Sequence, residues 1–106
     1  MSQFTVIYNV TINIPTSIHK EWLNWMQTVH IPNVMATGFF RSYTLFELIQ
    51  PESEPDTATY TIQYECDSLD DLADYRTNFA PALQQEHNLR YANQFVAFRT
   101  ILKKVK

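Results

Sequence analysis

Few residues in this chain pair reactive chemistry with a setting that could use it, and His30 and Arg99 lead them. His30 falls where a helical stripe gives way to a proline, so its imidazole can reach a cleft from a helix end. Imidazole titrates near neutral pH and suits acid–base work, which makes His30 the candidate catalytic residue. A helix-capping histidine, whose charge suits the negative end of the helix, accounts for the same position. Arg99 interrupts an apolar strand. A guanidinium on a sheet face needs a carboxylate, a phosphate or water. Arg99 therefore either holds a small anionic ligand or closes an ion pair within or between subunits, for example with Glu47 or Glu65.

Asn9, Thr11 and Gln63 lie on the polar faces of their strands, with Tyr43, Tyr60 or Tyr64 expected nearby. A few polar groups among aromatic rings is the usual lining of a small-molecule pocket. Asn9, Thr11, Tyr43, Gln63, Tyr64 and Arg99 thus form the candidate ligand set, and a solvated sheet face is the competing reading. Other constellations fail. No nucleophile-elbow sequence surrounds a serine. His19, His30 and His87 lack metal-ligand spacing, and Cys66 has no cysteine partner. Neither a metal nor a cofactor is expected.

Composition narrows the classes further. Gly38 is the single glycine, whereas phosphate-cradling loops need several. The net charge is −3. Binding to nucleic acid draws on a basic face, and the one basic cluster, Lys103, Lys104 and Lys106, reads as a solvated chain end. Cys66 alone cannot form an intramolecular disulfide, which agrees with a reducing compartment. Met1-Ser2-Gln3 lacks the pattern of a leader, and no stretch approaches the ~20 apolar residues of a membrane span. A cytoplasmic protein with no nucleic-acid and no membrane partner is the expectation.

These residues are carried by a short series of elements in a single domain spanning residues 1–106. Phe4 to Ile14 alternates apolar and polar residues, a strand signal. Pro15 breaks it, and Thr16 or Ser17 can cap a helix. Ile18, Trp22, Trp25, Met26 and Val29 make one helical stripe, with the tryptophans as core residues. Pro32 predicts a helix end near His30, an irregular segment from Asn33 to Thr37, and a left-handed turn at Gly38. Phe39 to Ile49 and Ala58 to Cys66 read as strands two and three, joined by a solvated loop. Ser68 opens the second helix with Asp71 three positions on. Pro81 kinks or restarts that helix, which continues to about Ala92. Phe95 to Lys103 is the last strand.

The order β-α-β-β-α-β is the ferredoxin-like α+β arrangement. Right-handed crossovers put both helices on one face of a four-stranded antiparallel sheet and leave the other face bare. Strands two and four are apolar on both sides, so the bare face needs a cover, and a second copy of the chain supplies it most simply. A homodimer is expected.

Several strings carry a family resemblance: Tyr8-Asn9-Val10-Thr11, Glu21-Trp22-Leu23 with Trp25-Met26, and His30-Ile31-Pro32 leading into Val34-Met35-Ala36-Thr37-Gly38. Tyr60, Gln63-Tyr64, Glu86-His87 and Phe98-Arg99-Thr100 follow. Across nearly its whole length the chain resembles an uncharacterised bacterial family in the dimeric α/β-barrel superfamily. The resemblance implies a ferredoxin-like protomer and a sheet-to-sheet dimer, and implies no activity. The wider superfamily includes cofactor-free mono-oxygenases, lactone isomerases, haem enzymes and amino-acid-sensing domains, so fold alone does not choose. Some haem-degrading relatives use a strand-one Asn, a strand-three Trp and a late helical His. Asn9 and His87 match that set here, but strand three offers Tyr60 and Tyr64 in place of Trp. The expected function is a homodimeric small-molecule-binding domain with a cleft between sheets, which as an enzyme would need no cofactor. The alternative is a structural or regulatory dimerisation module without catalysis.

Overall fold

The computed structural model describes residues 4–106; Met1-Ser2-Gln3, read above for the absence of a leader, lies outside them. Strand β1 (Val6–Pro15) buries Val6, Tyr8, Val10, Ile12 and Ile14 and leaves the residues between them half-buried. This is the alternation its sequence requires, since successive strand side chains point to opposite faces. β3 (Thr57–Cys66) runs antiparallel beside it from Val6↔Cys66 to Pro15↔Thr57 and shows the same alternation. β2 (Ser42–Glu47) pairs outside β3, and β4 (Val96–Lys103) pairs outside β1. The sheet order is β2-β3-β1-β4, antiparallel throughout, which is the ferredoxin-like arrangement.

The helices are α1 (His19–Trp25), α2 (Ile31–Ala36), α3 (Leu69–Asn78) and α4 (Ala80–Arg90). They cover the face formed by Tyr8, Val10, Ile62 and Tyr64. Ser68 caps α3 as its sequence predicts, its Oγ accepting from the Asp71 N–H at 3.1 Å. Pro81 stands in the first turn of α4, which restarts the helix after α3. Gly38 has φ +83° and its N–H donates to the Met35 carbonyl, the left-handed turn expected of it.

Three expectations are corrected. Neither Thr16 nor Ser17 caps α1; Ile18 holds that position, and the Thr16 hydroxyl donates to the Asp56 carbonyl instead. The second strand is shorter than Phe39 to Ile49, because Phe40 turns into the core ahead of it. Most important, the chain does not leave the helix at His30. Residues Met26–His30 form a π turn, in which the Ile31 N–H reaches back to the Met26 carbonyl, and α2 follows with Pro32 in its first turn. A proline ring inside a regular helix clashes with the carbonyl four residues earlier, here that of Thr28. Widening by one residue relieves the clash, and at the start of a helix the missing proline N–H is not needed.

The sheet face away from the helices has a polar centre. Asn9, Thr11, Asn13, Thr59, Thr61 and Gln63 occupy it, and Asn13 donates to both Thr57 and Thr59 at 3.0 Å. Phe46 on β2 and Val96, Phe98 and Leu102 on β4 flank this strip and are exposed.

Candidate functional site

The extra residue of the π turn decides which side chain points at the sheet. In a regular helix Val29 would continue the stripe of Trp22, Trp25 and Met26. Instead Val29 is 37% exposed, and His30 turns inward ahead of buried Ile31 and Val34. Such turns often accompany functional sites. His30 is therefore not the helix-end residue expected from sequence; it sits inside a continuous helical segment and faces a cavity.

That cavity lies between sheet and helices. Its floor is Tyr8, Val10 and Ile12 of β1, Ile62 and Tyr64 of β3, and Ala97 and Arg99 of β4. Met26, His30 and Val34 close it on one side, and Tyr75, Leu83, Gln84, His87 and Asn88 on the other, with Phe95 at the end. About 30 Å³ is enclosed, room for one or two water molecules. Exposed Asn88 and Arg99 stand at its opening. Arg99 reaches the helix-covered face because it pairs with Val10 in the β1–β4 register.

The polar groups here are under-partnered. The Tyr8 hydroxyl and the His30 Nδ1 are buried without a hydrogen bond among the described residues. Native proteins rarely leave such groups unpaired, and each one calls for an explanation. Arg99 makes no ion pair among the described residues; Glu65 pairs with Arg41 instead, at 3.6 Å. Within the chain, the alternative of a link from Arg99 to Glu47 or Glu65 is thus not formed among the described residues. Among the described residues no carboxylate lines the cavity, and Arg99 is the one permanent charge there.

Burial holds the imidazoles of His30 and His87 neutral, lowering each pKa to about 4, with the positive Arg99 adding to the effect. Burial also raises the Tyr64 and Tyr75 hydroxyls well above the usual phenol range. At neutral pH the site therefore combines neutral donors and acceptors with one guanidinium.

His87 belongs to this site as well, a place its sequence suggests only through the haem comparison. It is buried, its ring centroid is 5.7 Å from that of His30, and its Nε2 accepts a 2.9 Å hydrogen bond from the Trp22 indole. The i+3/i+4 stripe of the second helix, followed past Pro81, runs through Leu83 to His87, a signal that was available. Haem ligation by His87 does not fit this arrangement. Its Nε2 is occupied by Trp22, and Asn9 faces the opposite side of the sheet. Among the described residues no three His, Cys, Asp or Glu side chains converge as metal ligands.

The candidate ligand set divides in two. His30, Tyr64 and Arg99 meet in the cavity. Asn9, Thr11 and Gln63 lie together on the open face, where Asn9 donates to Thr100 at 3.1 Å and its Oδ1 is buried without a partner. Tyr43 and Tyr60 do not join them, and neither does Tyr64. All three tyrosines share the helix-covered side, in register with Tyr8 and Ile12, and Tyr43 is exposed at the β2 edge. Within one chain the two groups do not share a cleft, and the cavity that His30, Tyr64 and Arg99 line lies under the helices.

Comparison with known proteins supports the fold. An EthD (ethyl tert-butyl ether D) family protein from Bacillus halodurans is 11% identical, with a TM-score of 0.68, covering 94% of this chain and 99% of its own. A NIPSNAP family protein from Agrobacterium tumefaciens is 14% identical, with a TM-score of 0.69, covering 100% of this chain and 90% of its own. A dimeric ferredoxin-like protein from an uncultured marine organism is 8% identical, with a TM-score of 0.59, covering 99% and 98%. At these identities the likeness is one of architecture. No curated protein matches. A family model described as "Domain of unknown function (DUF4286)" matches residues 5–105, and the chain belongs to that family.

Proposed function

We propose that this protein binds a small anionic ligand in the cavity between sheet and helices, with Arg99 as the charge partner and His30 as the group that can exchange a proton with it. One observation carries the reading. Unpartnered polar groups from distant parts of the chain, Tyr8 Oη, His30 Nδ1 and the Arg99 guanidinium, meet at one cavity that no carboxylate lines. A guanidinium with no protein carboxylate favours a carboxylate or phosphate from outside. The enclosed volume sets the size, since it takes a carboxylate head while the rest of the ligand stays in the opening beside Asn88 and Arg99. His30 suits acid–base chemistry by reach rather than by charge, because it is neutral at rest and regains basicity when an anion arrives.

The test is a thermal-shift screen of small carboxylates and phenolates on the wild type and on Arg99→Ala. A ligand that raises the melting temperature of the wild type alone supports the pocket. If no anion shifts either curve, the reading fails and a structural module remains.

Self-association through the open face accompanies this function. Phe46, Val96, Phe98 and Leu102 expose a broken apolar frame around polar Asn9, Thr11 and Gln63, and a second copy buries it. Light scattering at tens of micromolar, on the order of working concentrations for weak dimers, should give twice the chain mass, and Phe98→Glu should give the monomer. A cytoplasmic setting suits the single buried thiol of Cys66.

A further inference from the structure

We propose that, in a pair of copies joined by their open faces, the strands cross near a right angle, so that the basic segment after β4 of each copy seats against the acidic β2–β3 loop of the other. The proposal rests on the self-association described above and specifies its geometry.

Topology and charge both point to this arrangement. β2 and β4 are the two edges of the sheet. The loop after β2 leaves at the end of β1 marked by Ile12 and Ile14, because Glu47 pairs with Tyr60 and Tyr60 with Ile12. It carries Glu52, Glu54 and Asp56, all exposed. β4 finishes at the other end of β1, where Lys103 pairs with Val6. Lys104 and Lys106 follow it and are exposed, whereas the Lys103 ammonium lies 4.8 Å from the centre of the Phe4 ring. Acid and base therefore occupy diagonally opposite corners of one sheet. None of Glu52, Glu54, Asp56, Lys104 and Lys106 forms an ion pair among the described residues, where the pairs are Arg41 with Glu65 and Asp67, and Arg90 with Glu21.

A face-to-face pair has its two-fold axis in the plane between the sheets. An axis along the strands or across them lays the acidic corner on a corner with no free basic side chain among the described residues: the start of β4, or the start of β2, where Arg41 is already paired. One diagonal lays acid on acid, which like charge disfavours. The other diagonal lays the acidic corner of each copy on the basic corner of its partner. A diagonal axis turns one set of strands across the other, which is the orthogonal mode of sheet packing. Two-fold symmetry then forms the contact twice.

The acidic corner also has a place for an apolar side chain. Phe46, Leu48 and Ile49, with Thr61 and Gln63, line an open groove of about 450 Å³. Val105, 86% exposed between the two lysines, is the matching group. Val105 in the groove and Lys104 and Lys106 on the acidic rim use the apolar and charged features of both corners together.

A charge exchange tests this. One variant carries Lys104→Glu and Lys106→Glu; the other carries Glu52→Lys and Glu54→Lys. All four positions are exposed, and circular dichroism checks that both variants fold. Each variant alone should dimerise about tenfold more weakly than the wild type at low salt. An equimolar mixture should recover wild-type affinity, because in the mixed pair both corner contacts again join opposite charges. Variants that dimerise like the wild type, or a mixture no tighter than its components, would overturn the corner contact and leave the dimer standing. A wild type that stays monomeric removes the self-association reading itself and this proposal with it.

Discussion

The Trp22 indole N–H points at Nε2 of His87 across 2.9 Å in a buried setting. An N–H donates, so Nε2 must present its lone pair, and the proton of the neutral ring is on Nδ1. The bond therefore fixes the tautomer of a residue that lines the cavity. It also ties α1 to α4 across the top of the sheet, beside the second tie that Tyr91 and Arg90 make to Glu21.

Trp22→Phe removes that donor and leaves a small void. It should destabilise the fold by about 2–4 kcal/mol through the unpaired nitrogen and the lost volume. Nitrogen-15 spectra of His87 should then show both tautomers. A ring still protonated on Nδ1 alone would mean that some other contact sets it.

The paired histidines give stability a defined pH dependence. His30 and His87 have pKa values near 4 in the folded protein, against about 6.5 in an unfolded chain. Between these values the unfolded state binds more protons. Stability from this source is complete above about pH 6.5 and is lost as pH falls toward 4, by at most about 3 kcal/mol per ring. The rings are close, so the two losses are coupled and not simply summed. Urea midpoints should drop between about pH 7 and pH 5, and proton NMR should show both imidazoles titrating below pH 5. A histidine titrating near 6.5 would place that ring in water.

Gly38→Ala tests the turn before β2. An added Cβ would meet nothing within 4 Å, so the cost is conformational and follows from φ +83°. It should be about 1–2 kcal/mol in a denaturation curve. A neutral result would show that the backbone relaxes out of the left-handed region.

The valines on either side of His30 separate the π turn from a regular helix. Val34→Ala, at a buried position, should cost about 2 kcal/mol, and Val29→Ala, at an exposed one, under about 0.5 kcal/mol. The reverse order would mean that the helix runs without the wide turn.

How much of this could be read in the residues depends on how local the cause is. Ser68 with Asp71, and Gly38 after its helix, are decided within a few residues, and both were legible. The alternation of β1 was legible too. Tyr43, Tyr60 and Tyr64 could also have been assigned correctly. Tyr64 is one residue from Gln63, and neighbours in a strand face opposite ways, so no flat sheet can show both to one cleft. The π turn was hidden, because one added residue per turn leaves composition and apolar count unchanged. The cavity was hidden as well. It joins β1, β3, β4 and three helices, and no short window of sequence contains that meeting.

The wide turn at Met26–His30 has a consequence for how this segment can vary. Gln27 and Thr28 are exposed, and their identities should be replaceable at little cost. Their number matters in a different way. A wide turn takes up one residue more than a regular one, so deleting one of them would let the backbone close on four-residue hydrogen bonds with His30 still in phase with Trp22, Trp25 and Met26. The burden would pass to Pro32, whose ring would then meet the carbonyl four residues earlier. The stretch between Trp25 and Pro32 thus tolerates new letters freely, and a shorter length only at the expense of its proline.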